Sequence, residues 1–296
     1  MTQIICVLTD EYVLVASDNL VTWGSGPKRG QVVSDKECKL VSLCGRNVIG
    51  YSGLAVLDGI PTHEWIAKTL TNASCQEPDK AVELLAAKTP GAVLRFPRSL
   101  RRHEYLVAGW ANLTHAETGV QVRNAPHFGV VSNFMDANGG PTGEASSTFS
   151  VRVRSHVGYG IFATRTLGQI LSQSRYRAMT RALKNLARRK AGPEAAMRLL
   201  VDEIRHTSRY QRTVGMKVMC VCIPKPKAGH SDTGIVGKVG AKNTPWWAYF
   251  DPAKDAFVGY GPTYVCGGGA WGNIKTTYDA NGEFVSVEAT ILALPQ

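Results

Sequence analysis

Apolar residues near the start of the chain fall in short, unbroken runs. Residues 4–8 (IICVL) and 12–16 (YVLVA) are separated by Thr9-Asp10-Glu11, which predicts a β-hairpin. Neither run alternates with polar residues, so both faces of these strands are expected to be covered, with layers above and below the sheet. A second hairpin is predicted from Lys39 to Cys44 and Val48 to Ser52, turning at Gly45-Arg46-Asn47, and the Gly-, Pro- and charge-rich residues 23–36 between the hairpins read as a loop.

The period then lengthens. At 62–71 Thr62 can cap a helix whose Trp65, Ile66 and Leu70 share a face, and at 78–88 Pro78 suits a first helical position. Residues 105–135 and 148–163 return to strand patterning. Two more helices are expected over about 165–190 and 193–207, with Gly192-Pro193 as stop and start, and KVMCVCI at 217–223 closes this part as a buried strand. Strands, helices, strands, helices, strand is a layered α+β order, not a regular βαβ alternation.

Residues 224–244 hold few large apolar side chains and read as a linker or long loop. In 245–296, Trp246 to Phe250 and Ala256 to Tyr260 flank Asp251-Pro252, and Thr276 to Tyr278 and Phe284 to Val287 flank Asn281-Gly282. These predict a C-terminal extension of two hairpins. The expected domains are therefore 1–223, the linker 224–244, and the extension 245–296.

Composition narrows the class. Of 296 residues, 44% are hydrophobic and 19% charged, which argues against disorder, collagen and coiled coil. The formal charge of +11 is unevenly placed: residues 91–220 carry 20 Lys+Arg against 7 Asp+Glu, while the remaining segments are close to neutral. Seven cysteines, several in apolar runs, read as free thiols in a reducing compartment. Cys220 and Cys222 share a strand face without a second Cys/His pair at zinc spacing, so no metal is expected. The N-terminus lacks a basic leader and no apolar run reaches the roughly 20 residues of a membrane span, so a cytoplasmic location is expected.

Hairpin arithmetic brings candidate chemistry together. Around Asp10, residues whose numbers sum to about 20 face each other, pairing Thr2 with Asp18. Around Arg46 the sum is about 92, pairing Lys39 with Gly53, each within a residue or two. Thr2 follows Met1, and a small residue there permits methionine removal. Its α-amine, with a reference pKa of about 7.7–8.0, is then partly neutral near pH 7 and can act as base to its own hydroxyl. A nearby Lys would tune both groups, and a carboxylate would hold that Lys.

The run TQIICVLTDEYVLVASDNLVTWG, followed by KECKLVSLCGRNVIGYSGLAVLD, resembles the opening of proteasome β-subunits and their bacterial relatives, the N-terminal-nucleophile hydrolases. Thr2, Asp18, Lys39 and Gly53 match the family pattern residue by residue, and Thr22 matches its substrate-strand position. The loop before Lys39 is about five residues longer than in the family. The resemblance covers residues 2–55 well and loosens to 223, where TVGMKVMCVCI is similar to the last core strand; 224–296 lie outside it.

It implies a four-layer αββα sandwich and a threonine-type peptidase or amidase without a cofactor. Thr2 would be the nucleophile, Lys39 the tuning cation and Asp18 its anchor, with the Gly53 N–H stabilising the oxyanion. The partners implied are a peptide or amide substrate, a homo-oligomeric ring or related assembly and, in some relatives, an ATPase. The chain departs from the family where a supporting Ser is expected, reading Gly158-Tyr159-Gly160, and again at Tyr210 and Thr213. Gly59-Ile60-Pro61 interrupts the helix expected after Gly53.

Two other readings stand beside the enzyme. The first is a catalytically idle member that keeps the fold as an assembly subunit. The second, nucleic-acid binding, rests on the basic run 175–190, where Arg177, Arg181, Lys184 and Arg188 form one helical stripe and Met179, Leu183 and Leu186 another. A solvated outer face explains that run more simply, since no aromatic interleaving accompanies it. Gly267 to Gly272 fits G-x-G-x-x-G, but too few residues follow for the helix a dinucleotide site needs.

Overall fold

The computed structural model describes residues 2–71, 77–114, 119–135, 142–156, 160–226, 244–253, 256–258, 260–265, 270–278 and 284–293. The chain begins with the hairpin β1 (Gln3–Thr9) and β2 (Tyr12–Asp18), followed by the short strands β3 (Val21–Thr22) and β4 (Val32–Ser34). A second hairpin, β5 (Leu40–Leu43) and β6 (Asn47–Ser52), leads to the two-residue strands β7 (Val56–Leu57) and β8 (Ile60–Pro61), then to helices α1 (Thr62–Thr71) and α2 (Pro78–Val93).

Strands β9 (Glu104–Thr114), β10 (Gln121–Ser132), β11 (Ser150–Ser155) and β12 (Phe162–Gly168) precede helices α3 (Gln173–Arg188) and α4 (Pro193–Tyr210). The chain continues through β13 (Val218–Pro224), β14 (Trp246–Asp251), β15 (Ala256–Val258), β16 (Tyr260–Val265), β17 (Ala270–Tyr278) and β18 (Phe284–Ala293).

The fold is α+β. Among the described residues, one sheet runs β12-β1-β2-β13-β14-β15 and a larger one runs β11-β10-β9-β6-β5-β16-β17-β18. Three cores follow from the side-chain alternation of the strands. Ile4, Cys6, Leu8, Val13 and Val15 of the first sheet pack with Leu40, Val48, Leu106 and Trp110 of the second. The opposite face of the first sheet, with Ile5, Val7 and Leu14, packs on Met179 and Leu183 of α3 and Met197 and Leu200 of α4. The opposite face of the second, with Val41, Ile49 and Val107, packs on Ile66 of α1 and Val82 and Leu85 of α2. Strands covered on both sides carry near-continuous apolar runs, and β1 and β2 are buried throughout.

Some boundaries differ from the sequence expectation. Residues 23–36 are not all loop: β4 returns to pair with β3, Val21 opposite Ser34 and Thr22 opposite Val32. Residues 165–168, expected in a helix, belong to β12, where Leu167 pairs with Ile4 and Gly168 with Gln3. The exposed edge of β1 wins this segment, and α3 begins only after Ser172, whose side chain accepts the Arg175 N–H. The C-terminal strands extend both sheets: β14 pairs with β13, and β16 runs parallel to β5. Of the glycine-rich stretch, Gly267 to Gly269 lie outside the described residues, and Ala270 to Gly272 already belong to β17, which pairs antiparallel with β18 and opens no helix. No helix among the described residues is long and apolar enough to cross a membrane.

Candidate active site

Asp18 ends β2 with no exposed surface, so its charge depends on local donors. Its Oδ1 accepts the Gln3 N–H at 2.7 Å. Its Oδ2 accepts the Leu20 N–H at 3.1 Å, the Gly215 N–H at 3.0 Å and the Lys39 ammonium at 3.1 Å. Lys39, 2% exposed, also donates to the Leu20 carbonyl at 2.5 Å. Burial pulls the Lys39 ammonium below the usual lysine range, while Asp18 and then Glu37 act in the opposite direction. Thr2, buried immediately before β1, has its carbonyl held by the Gln169 N–H at 2.7 Å. Asp18 thus joins Lys39 to the main chain next to Thr2.

Both hairpin registers fall within a residue or two of the expected sums, shifted by one in the first hairpin and by two in the second. In β1–β2, Ile4 faces Ser17 and Leu8 faces Val13, so Asp18 stands opposite Gln3, not Thr2. Thr9 Oγ1 accepts the Tyr12 N–H at 3.0 Å and donates to the Tyr12 carbonyl at 2.9 Å, closing the turn on Asp10 and Glu11 alone. In β5–β6, Leu40 faces Gly50, and the Tyr51 N–H donates to the Lys39 carbonyl at 3.3 Å. The positive φ values of Cys44 (51°) and Gly45 (63°) start that turn one residue early. Gly53 therefore lies two residues beyond the partner of Lys39.

Gly53 itself has φ 127°, in the region glycine favours, and a Cβ there would meet the Arg102 carbonyl oxygen and lie 2.7 Å from His103 Nδ1. The Leu54 N–H donates to His103 Nδ1 at 3.1 Å, which places the ring proton on Nε2. His103 has no exposed surface, and burial lowers its pKa to about 3, so it is neutral. Tyr51 stacks on it at 6.1 Å and Tyr105 meets it edge-on at 4.7 Å.

The next residue on β9 points to the opposite sheet face. Glu104 Oε1 accepts the Gly168 N–H at 2.6 Å, and Ser52 and Ser132 stand directly across from Glu104 on the neighbouring strands. Burial raises the Glu104 pKa to about 7, against smaller lowering effects of the Gly168 N–H and Arg165. Gly168 has φ 73°, and a Cβ there would run into the Thr2 carbonyl and lie 2.8 Å from Ser52 Oγ.

Thr2, Asp18 and Lys39 thus lie together, and Gly53 sits on the corner that His103 holds. Thr22 is half-buried on β3, four residues beyond Asp18. Of the segment Gly158–Gly160, Gly158 and Tyr159 lie outside the described residues, while the N–H groups of Gly160 and Ile161 bind Asp10 at 2.6 and 2.7 Å, at the far end of β1 from Thr2. The glycine that touches Thr2 is Gly168. Tyr210 is 72% exposed at the end of α4, and Gly215, not Tyr210 or Thr213, supplies the donor to Asp18.

His103, Glu104, Gly168, Gln169 and Gly215 carry no spacing signal of their own. Only Gly168, closing the stretch Phe162 to Leu167 just before a Ser-capped helix, could have been picked out as a strand end. Cys220 and Cys222, singled out above, are buried in the core beneath α3 and α4, where burial pushes both thiols up and keeps them protonated. No family model matches this chain, and no curated protein matches it.

Proposed function

We propose that this protein is a threonine-type N-terminal-nucleophile hydrolase that cleaves peptide or amide bonds through an acyl-enzyme on Thr2, once Met1 is removed. The observation that carries the reading is the buried Asp18–Lys39 pair, bonded to the main chain beside Thr2. A buried pair of this kind contributes little net stability, so its placement beside a small nucleophilic residue favours a chemical role. The proposed fold is the four-layer αββα sandwich, which the two helix-to-sheet cores and the inter-sheet core support.

In this mechanism the Thr2 α-amine takes the Oγ proton as Oγ attacks the substrate carbonyl. The tetrahedral oxyanion is stabilised by the Gly53 N–H, and the amine passes its proton to the leaving nitrogen, which departs as the C–N bond breaks. The same amine then deprotonates a water that attacks the ester, releasing the acid and restoring the hydroxyl. Lys39, held by Asp18, disfavours a second positive charge on the Thr2 amine and keeps it available as base. Thr22 would line the substrate strand.

A cytoplasmic homo-oligomer, ring-shaped or related, with or without an ATPase partner, completes the proposal. Intact mass tests the first requirement: retained Met1 defeats the enzyme reading and leaves an idle assembly subunit. With Met1 absent, a Thr-directed electrophile should add one label to the wild-type chain and none to Thr2→Ala. Labelling that persists in Thr2→Ala places the nucleophile elsewhere. Electron microscopy of the purified protein checks the assembly, and a monomer would refute the ring.

A further inference from the structure

We propose that Glu104 is a positioning residue of the Thr2 site: its carboxyl group fixes the Gly168–Gln169 turn, and that turn fixes the Thr2 carbonyl. The proposal rests on the threonine reading above and adds to it a residue outside the resemblance to known hydrolases.

The connection is short. Glu104 Oε1 accepts the Gly168 N–H at 2.6 Å, and the next N–H, of Gln169, donates to the Thr2 carbonyl at 2.7 Å. Gly168 lies so close against Thr2 that a Cβ would collide with the Thr2 carbonyl, so a small shift of the turn is transmitted to the nucleophile's main chain. Glu104 is 1% exposed, and among the described residues its Oε2 has no hydrogen-bond partner.

A buried carboxyl with a free oxygen is expensive where an apolar side chain would fit. The same strand face continues with Leu106, Ala108 and Trp110, all in the inter-sheet core. The retained carboxyl is therefore better explained by what its oxygens do than by packing. Facing it, Arg165 of β12 favours the charged form, the amine of Thr2, just before β1, would do the same, and His103, the residue before Glu104, is neutral. With a pKa of about 7, the group changes charge near the pH at which the Thr2 amine must act as base.

The test compares wild type, Glu104→Gln, which keeps an acceptor, and Glu104→Met, which fills the volume without one. Amide exchange across 167–171 should rise about tenfold or more in Glu104→Met and stay within about threefold of wild type in Glu104→Gln. Labelling of Thr2, followed from about pH 6 to pH 9, should fall about tenfold in Glu104→Met although its melting temperature does not fall. The wild-type profile should contain, besides the ionisation of the Thr2 amine, a second step near neutrality that Glu104→Gln lacks. Unchanged exchange in Glu104→Met overturns the proposal, and so does a Glu104→Gln profile that keeps both steps. Faster exchange with no labelling even of the wild type overturns the threonine reading alone and leaves the hold of Glu104 on the turn standing.

Discussion

Asp18 and Lys39 are bonded to each other but are not equivalent. The Asp18 carboxylate has three backbone N–H donors besides Lys39, whereas Lys39 has only the Leu20 carbonyl besides Asp18 among the contacts described. Asp18→Ala therefore strands a buried ammonium and three N–H groups, and should cost about 3–5 kcal/mol. Lys39→Met leaves a carboxylate that is still well solvated by the backbone, and should cost less, about 1–3 kcal/mol. Urea unfolding of both variants checks the order, and equal losses would show that the three backbone bonds do not hold the carboxylate.

Glu104 makes a pH prediction of definite sign. Its folded pKa, about 7, lies above the ordinary glutamate value of 4.5, so the native state holds its proton more tightly than the unfolded chain. The stability this contributes is fully present below about pH 4.5 and lost as pH rises through about 7. Relative to wild type, Glu104→Gln should gain on the order of 3 kcal/mol across that window and no more above it, read as a widening gap in thermal unfolding. A constant gap would mean that Glu104 is already ionised at the lower pH.

The elements meet at the site through their ends. The residues that enter β9 alternate: His103, just before the strand, turns towards the α1 and α2 side and holds Leu54, and Glu104, its first residue, turns towards the inter-sheet core and holds Gly168. One strand end thus fixes both the Gly53 corner and the Thr2 turn, which is an economical use of the two-residue strand period. Gly168→Ala places a methyl on the Thr2 carbonyl at a positive φ, so β12 must detach locally from β1. A loss of about 2–4 kcal/mol and of Thr2 labelling is expected, by thermal unfolding and intact mass. A variant as stable as wild type would show that the close approach is relaxed at little cost.

The hairpins themselves were legible from the apolar runs, and three of the four helices among the described residues from periodicity and caps, to within a turn or so. The start of α3 was not. Residues 165–168 can be read as helix locally, but β1 offers an open edge and they complete it. Registers were off by one in β1–β2 and by two in β5–β6, because the Thr9 side chain and the positive φ at Cys44 shape turns that residue type alone leaves open.

Across the molecule the basic stripe of α3 sits apart from the site. The stripe Arg177, Arg181, Lys184 and Arg188 is exposed on the outer face of α3, while Met179 and Leu183 are buried beneath it. Charge reversal in Arg177→Glu/Arg181→Glu should change stability by less than about 0.5 kcal/mol and leave Thr2 labelling intact. Thermal unfolding and intact mass check this, and loss of an oligomer in the same variant would assign the stripe to a subunit contact.

Local pattern settled the composition of the layers: which runs are covered on both faces, which helices carry an apolar stripe, and that Thr2, Asp18, Lys39 and Gly53 all fall at strand ends. These follow from the period of two or 3.6, which each segment carries within itself. The folded chain settled the pairings between distant segments. Gly168 reaches Thr2, Gly215 reaches Asp18, β16 lies beside β5, and His103 and Glu104 divide between two turns. Such contacts depend on which sheet edges are open and which backbones approach closely enough to exclude a Cβ, and neither is encoded by the neighbours of a residue in sequence.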